Sequence, residues 1–161
     1  MDKFVVSAAL TGAIHTPTMS PHLPITPDEL AEEARRAWEA GAAVVHVHAR
    51  DPETGQPSAD SALFGEILQK IRAKCDAVVC TTTGGGFGMT VEQRVSVVKT
   101  YSPELASLNA GSLNFALFPI LDKIKEFKHE WEPQYLQMSE DFIFPNTFKT
   151  LREFNEFFAQ E

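Results

Sequence analysis

Two histidines one residue apart close a short apolar run, Ala43-Val44-Val45-His46-Val47-His48. A neutral imidazole ligates divalent metals and can also carry a proton near neutral pH. On a β-strand, residues i and i+2 share a face. His46 and His48 therefore project together, with Val44, while Val45 and Val47 point the other way. Two such rings can chelate one cation, at about 2.0–2.1 Å per nitrogen for zinc. They can also sit in a polar crevice, hydrogen-bonded to main chain. Catalytic zinc usually takes a third protein ligand and keeps an open position. His15 and His22, on the loop after the first apolar run, are the fallback candidates for that third place.

A second candidate for chemistry is Thr82-Thr83-Gly84-Gly85-Gly86-Phe87-Gly88. Clustered glycines let backbone N–H groups converge into an anion nest for a carboxylate or phosphate. A helix opening near Thr90 would add its positive end. The spacing is neither GxGxxG nor a P-loop, and a flexible connector is the plainer reading. Thr82, at the end of an apolar run, offers a hydroxyl to a substrate. Ser107 and Asn109 share a face by the same period of two, and the Asn109 amide is both donor and acceptor. A turn role fits Asn109 equally well. Arg50, just past the histidines, either binds an anionic group or pairs with Asp51.

These residues need elements to hold them. Short apolar runs alternate with amphipathic stretches. Strands are expected at Phe4–Leu10, Ala43–His48, Ala77–Thr82 and, more weakly, Leu105–Asn109. Thr26, Pro27 and Glu29 form a capping-box start for a helix ending near Ala40, with Gly41 as its stop. Ser58 and Ser61 open a second helix, carrying Leu63, Phe64, Ile67, Leu68 and Ile71. Thr90, with Gln93 three residues on, caps a third that runs to about Lys99. A loop is expected over 110–117, a short helix over 120–128, an extended piece at Phe142–Phe144 and a last helix capped by Thr147. Trp38 and the phenylalanines from Phe142 to Phe158 read as core. With no linker in the chain, residues 1–161 form one domain.

Alternating strands and helices mean an α/β fold with a parallel sheet and helical crossovers. Four units at about 40 residues each imply roughly 320 for eight, inside the range of a (β/α)8 TIM barrel. The chain is thus expected to hold the first four βα units of such a barrel, as a piece of a longer protein or as one of two copies that close it. Strand carboxyl ends carry the sites of these folds, which is where both histidines fall.

Composition narrows the function. With 14 basic and 22 acidic residues the net charge is −8, which disfavours a phosphate-backbone partner. No apolar run is long enough to span a membrane. The first ten residues lack the basic region and cleavage site of a secretory signal. Cys75 and Cys80 lack metal-type spacing and read as thiols of a reducing compartment, so a cytoplasmic location is expected. Open sheet edges and the Phe-rich tail point to a homo-oligomer.

The stretch from Thr11 to Ser58, which contains HVHARD, and the later TTTGGGFGMTVEQR, SLNAGSLNF and FIFPNTF segments resemble the β-keto acid cleavage enzymes. The founding activity of that family is 3-keto-5-aminohexanoate cleavage. The resemblance covers essentially the whole chain but only the first half of the family's length. It implies a zinc-dependent (β/α)8 barrel acting on small molecules, converting a β-keto acid plus acetyl-CoA to acetoacetate plus an acyl-CoA. It assigns His46 and His48 to the metal, zinc or another divalent cation. Thr82 falls on a substrate-binding Ser or Thr, and Gly85 on a glycine whose main chain meets the substrate. Asn109 or Ser107 matches a further polar contact more loosely. The family's third ligand, a Glu, and its catalytic Arg and Asp belong to the half that this chain does not hold. Where some members carry an acidic residue for a substrate amine, this sequence has Ile14, which favours a keto acid without one. The other readings are a metal-dependent barrel hydrolase or lyase of another family, and a non-catalytic half-barrel that binds a ligand.

Overall fold

Thr26 sets where the first helix begins. Its hydroxyl accepts from the Glu29 amide at 3.3 Å, and the Glu29 carboxylate accepts from the Thr26 amide at 2.9 Å. Two amides that the helix itself leaves unpaired are thereby satisfied. In the computed structural model, which describes residues 4–159, α1 spans Pro27–Glu39 and the chain leaves it through Gly41 at φ +104°. The same reciprocal pair, Thr90 with Gln93, opens α3 at Val91–Tyr101. Between them lies α2, Ser61–Lys74, whose cap is Asp60 and not the expected serines. Its carboxylate accepts from the Ala62 amide at 2.8 Å, and a negative charge suits a helix N-terminus better than a hydroxyl does.

Eight short strands are present among the described residues: β1 Ser7–Ala9, β2 Val44–Val47, β3 Ala49–Arg50, β4 Pro57–Ser58, β5 Val78–Thr81, β6 Leu105–Ala106, β7 Leu113–Asn114 and β8 Ile143–Phe144. Four of them form one parallel sheet in the order β1-β2-β5-β6. Helices α1, α2 and α3 make the crossovers between these strands in turn, as the sequence pattern requires. The register pairs Ala9 with His46 and His46 with Cys80. Val45, Val47 and Val79 are shut away on the helix side against Leu30 and Ala34 of α1 and Ile67, Leu68 and Ile71 of α2. Each such burial contributes about 1.5–3 kcal/mol for a large aliphatic side chain.

The strands are shorter than expected. Pairing of β1 stops at Ser7 because β2 begins at Val44, so Phe4, Val5 and Val6 stay exposed. β6 stops at Ala106, and Ser107 to Asn109 continue as loop. Trp38 is 38% exposed, its neighbour Ala37 packing on the core instead. Of the late phenylalanines, Phe144 and Phe154 are core, while Phe148 is exposed.

The segment after Asn109 departs most from expectation. A 3-10 turn covers Phe118–Lys123, and a further helix, α4, covers Trp131–Met138 where none was expected. Pro133 sits in its first turn, where a missing N–H costs little. Leu113 and Asn114, expected as loop, pair antiparallel with Phe144 and Ile143 as the β7–β8 ladder. The last helix, α5 at Phe148–Phe158, starts at Thr147 as expected. No described helix is long and apolar enough to cross a membrane.

Replacing Thr26 with Ala should lower unfolding stability by about 1 kcal/mol while Thr26→Ser holds it. Urea denaturation measures both, and equal midpoints for the two variants would show that the box contributes nothing.

Candidate active site

His46 of β2 and His48, one residue past its end, turn into one cavity of about 280 Å³ at the carboxyl ends of the parallel strands. His46 Nε2 and His48 Nε2 stand 3.2 Å apart, the rings nearly perpendicular at 84°. Two nitrogens in one tetrahedral shell at 2.0–2.1 Å stand about 3.3 Å apart. The pair thus fits a shared divalent cation. On its other side His46 Nδ1 lies 3.4 Å from Cys80 Sγ, across the β2–β5 register. The Cys80 main chain also lies within hydrogen-bonding reach of the His46 ring, so the ring has main-chain as well as side-chain neighbours.

Both rings are neutral at pH 7. Burial lowers the His46 pKa against a raising contact from Cys80. Burial, with the positive charge of a protonated His46 and of Arg50, pushes His48 down to about 3. Neutral rings keep the lone pairs that a metal needs. Burial also raises the Cys80 thiol, which stays protonated.

Thr82, Gly85, Ser107 and Asn109 line the same cavity. The hydroxyl of Thr82 accepts from the Gly84 amide at 2.8 Å. That of Ser107 accepts from the Thr83 amide at 3.3 Å. Each hydroxyl then has its hydrogen left to give. A Cβ on Gly84 would lie 3.8 Å from His48 Cε1 and 3.9 Å from Asn109 Nδ2, so the imidazole and the amide flank the glycine. Gly85 is at φ +61°, a conformation strained for any L side chain, and a Cβ there would also push Met89 Sδ aside. Two amides of the loop are engaged within it, Gly84 N–H to Thr82 and Gly86 N–H to Met89 Sδ.

His15 and His22 are both exposed and outside the cavity. Their loop bends away because its main chain is held elsewhere. Among the described residues no group of three or more His, Cys, Asp or Glu side chains is placed to hold a metal ion.

Arg50 is not paired with Asp51 and does not line the cavity. It is fully buried and donates to Thr11 Oγ1 at 2.9 Å and to the carbonyls of Gly12, His15 and Gly55 at 2.7–2.8 Å. It staples the loop after β1 to the β3–β4 turn. Asp51 instead closes that turn, accepting from the Glu53 and Thr54 amides. Burial lowers the guanidinium to about 10, so it remains charged.

Sequence reasoning missed three supports. Arg94 donates to the Thr83 carbonyl at 2.6 Å and to Asn146 Oδ1 at 2.6 Å, with Phe144 and Phe154 against its plane. It shares the apolar stripe of α3 with Val97 and Val98, which is the signal that could have exposed it. Glu132, fully buried on α4, accepts from the Thr18 amide and hydroxyl and the His129 amide. The third support is an aromatic roof. Tyr135 stacks on Phe87 at 4.5 Å and donates to the Ala13 carbonyl at 2.9 Å. Phe115 and Phe144 extend the apolar wall, and Ile14 completes it beside Ala13.

A parallel α/β sheet with paired imidazoles in a cavity at its strand ends defines a small-molecule site of the kind these folds build. The chain belongs to the beta-keto acid cleavage enzyme family, whose match covers residues 3–161. It is 50% identical over 146 residues to a 3,5-dioxohexanoate:acetyl-CoA acetone transferase of Paraburkholderia graminis, covering 91% of this chain and 47% of that protein. It is 38% identical over 116 residues to a 3-keto-5-aminohexanoate cleavage enzyme of Fusobacterium nucleatum, covering 71% and 42%. The fold is similar to ObcA in its ternary complex with a C4-CoA adduct and oxalate, with TM-score 0.51, 29% identity, and 60% and 25% of the two chains covered. The chain spans about half the length of the curated relatives it matches.

Two outcomes follow from this geometry. Arg50→Lys keeps the charge but not the fork, and each buried acceptor it abandons costs about 1–3 kcal/mol. Thermal unfolding should show a loss of several degrees; an unchanged midpoint would mean that the four bonds are dispensable. The second concerns pH. The folded His48 pKa, about 3, lies below the ordinary 6.5, so between these values only the unfolded chain takes up this proton. Stability therefore falls as pH drops from 6.5 toward 3, by about 2 kcal/mol at pH 5. With chelator present, urea unfolding at pH 5 and 8 should show this drop in the wild type and most of it gone in His48→Gln. Identical drops would put the proton elsewhere.

Proposed function

We propose that this chain supplies the histidine-bearing half of a (β/α)8 barrel that converts a β-keto acid and acetyl-CoA into acetoacetate and a new acyl-CoA. The observation that carries the reading is the convergence of His46 Nε2 and His48 Nε2, 3.2 Å apart, in a cavity that also holds Thr82, Ser107 and Asn109. His46 and His48 would hold zinc, or another divalent cation, with a further ligand from outside these four units. A bound zinc ion supplies Lewis-acid polarisation of the keto oxygen, which acidifies the carbon between keto and carboxylate groups.

The chain's own residues bind and orient. Thr82 and Ser107 each have a hydroxyl hydrogen to donate, and Asn109 has an amide. Together they suit the substrate carboxylate, and Gly85 lets the substrate lie against main chain. Phe87 and Tyr135 exclude water above it, which strengthens each polar contact below. Among the described residues, no carboxylate or amine side chain lines this cavity. The base that removes the proton therefore comes from the rest of the barrel. The deprotonated carbon attacks the acetyl carbonyl of acetyl-CoA and expels the CoA thiolate. That thiolate adds to the substrate's own keto carbon, and cleavage of the carbon–carbon bond then releases acetoacetate and leaves the acyl group on CoA.

Ile14 gives the tail end of the cavity an apolar wall. A carboxylate there would attract an ammonium; a sec-butyl group favours an uncharged tail. The Paraburkholderia graminis relative, named for 3,5-dioxohexanoate with its neutral keto group at carbon five, agrees with this.

Co-expression with the C-terminal half of the Paraburkholderia graminis relative tests the proposal. With zinc, acetyl-CoA and 3,5-dioxohexanoate, mass spectrometry should show acetoacetate and a new acyl-CoA. His46→Ala should cut both zinc content and product at least about 100-fold. Full zinc content in that variant, or no product from the wild-type pair, would refute the reading.

A further inference from the structure

The His46 ring has two nitrogens, and only one can face the cavity with a free lone pair. A neutral imidazole carries its proton on the other, and a partner that accepts this proton decides which tautomer is present. Cys80 offers two partners here, its main chain and its thiol, and only the thiol changes with the side chain. Cys80 is the cross-strand neighbour of His46 in the β2–β5 register and shares its face of the sheet. Its sulfur lies 3.4 Å from His46 Nδ1, within reach of a hydrogen bond to sulfur. The S–H itself is directed at the Thr81 carbonyl at 3.9 Å, a long contact that leaves the sulfur lone pairs toward the ring. Cys80 does not line the cavity, so whatever it does there it does through His46.

We propose that Cys80 is a positioning residue: its sulfur accepts the Nδ1–H of His46 and so fixes the tautomer that presents Nε2 to the point where His48 Nε2 arrives. The proposal rests on the two-histidine reading of the site. Metal-bound histidines are commonly oriented by a carboxylate or a carbonyl, and a carboxylate also makes the ring more basic. A neutral thiol orients the ring without adding charge beside it. The parallel register does the rest, because a residue two positions along β5 in either direction lies beside Val44 or past the end of β2.

The test compares the wild-type chain with Cys80→Val, which fills the space but cannot accept, and Cys80→Ser, which can. The first measurement is made without metal. Long-range proton–nitrogen NMR of the ¹⁵N-labelled chain reads the His46 tautomer. A single Nδ1–H form is expected in the wild type and in Cys80→Ser, and a mixture in Cys80→Val. The second is zinc affinity by calorimetry, expected to weaken by about 10–100-fold in Cys80→Val and to stay near wild type in Cys80→Ser. Amide spectra confirm folding, and Cys80→Ala replaces the valine variant if that one unfolds. An unchanged tautomer in the variant without an acceptor overturns the proposal. So does unchanged affinity when the wild type binds zinc and His46→Ala does not. A wild-type chain that binds no zinc overturns the two-histidine reading instead, and the tautomer measurement still decides the role of Cys80.

Discussion

The site depends on one spacing, the distance between alternate side chains on a strand whose other face is buried. His46 and His48 meet at 3.2 Å because β2 is extended and cannot rotate. It cannot rotate because Val45 and Val47 are fully buried under α1 and α2. A one-residue slip of β2 would turn both valines into the cavity and both imidazoles into aliphatic packing. The cost of that exchange, several buried aliphatic side chains at about 1.5–3 kcal/mol each, holds the rings together more firmly than any bond between them. The same register sets the neighbour of His46 on β5 and the place where Thr82 leaves the sheet.

Around this rigid floor the loops are organised by buried arginines. Arg50 and Arg94 are both buried, and the bonds described for each go to carbonyl, hydroxyl or amide oxygens. A guanidinium can do this because its fork of five donors satisfies several main-chain oxygens at once. A carboxylate partner would neutralise the charge. Its absence leaves a positive field near the strand ends, and the downward push of Arg50 on His48 is one sign of it. The chain has a net charge of −8, yet the positive charge of Arg50 is felt at His48 in the cavity.

Local signals made much of this legible. The period-two pair His46 and His48, the reciprocal caps at Thr26 and Thr90, and the turn at Gly84–Gly88 are each decided within a few residues, and each stands where the sequence places it. What escaped was decided at long range. The capping of α2 by Asp60 escaped because three good caps lie within four residues. The Arg50 alternatives, Asp51 or an anion, were both local. Its real acceptors on Gly12 and His15 lie 38 and 35 residues away. α4 was invisible because its eight residues include a proline and its stabilisation is tertiary, through Glu132 to Thr18 and Trp131 to the Thr54 carbonyl. Marginal helices of that length owe their existence to what they pack on.

The division between floor and roof also divides two tasks. On the function proposed above, the reacting end of a substrate meets His46, His48 and Thr82, which sit on or beside strand ends that the core fixes. On the same reading its other end meets Ile14, Phe87 and Tyr135, which come from a loop, a glycine-flanked turn and a short helix. Substitution in those segments changes the wall without disturbing the register, since Ile14 and Phe87 take no part in the sheet. A fold built this way can alter the tail it accepts while its chemistry stays fixed. The glycines on both sides of Phe87 let that ring reach Tyr135, and the hydroxyl of Tyr135 returns the contact to the Ala13 carbonyl, next to Ile14. The wall is thus one connected unit, running from Phe87 through Tyr135 to the main chain beside Ile14.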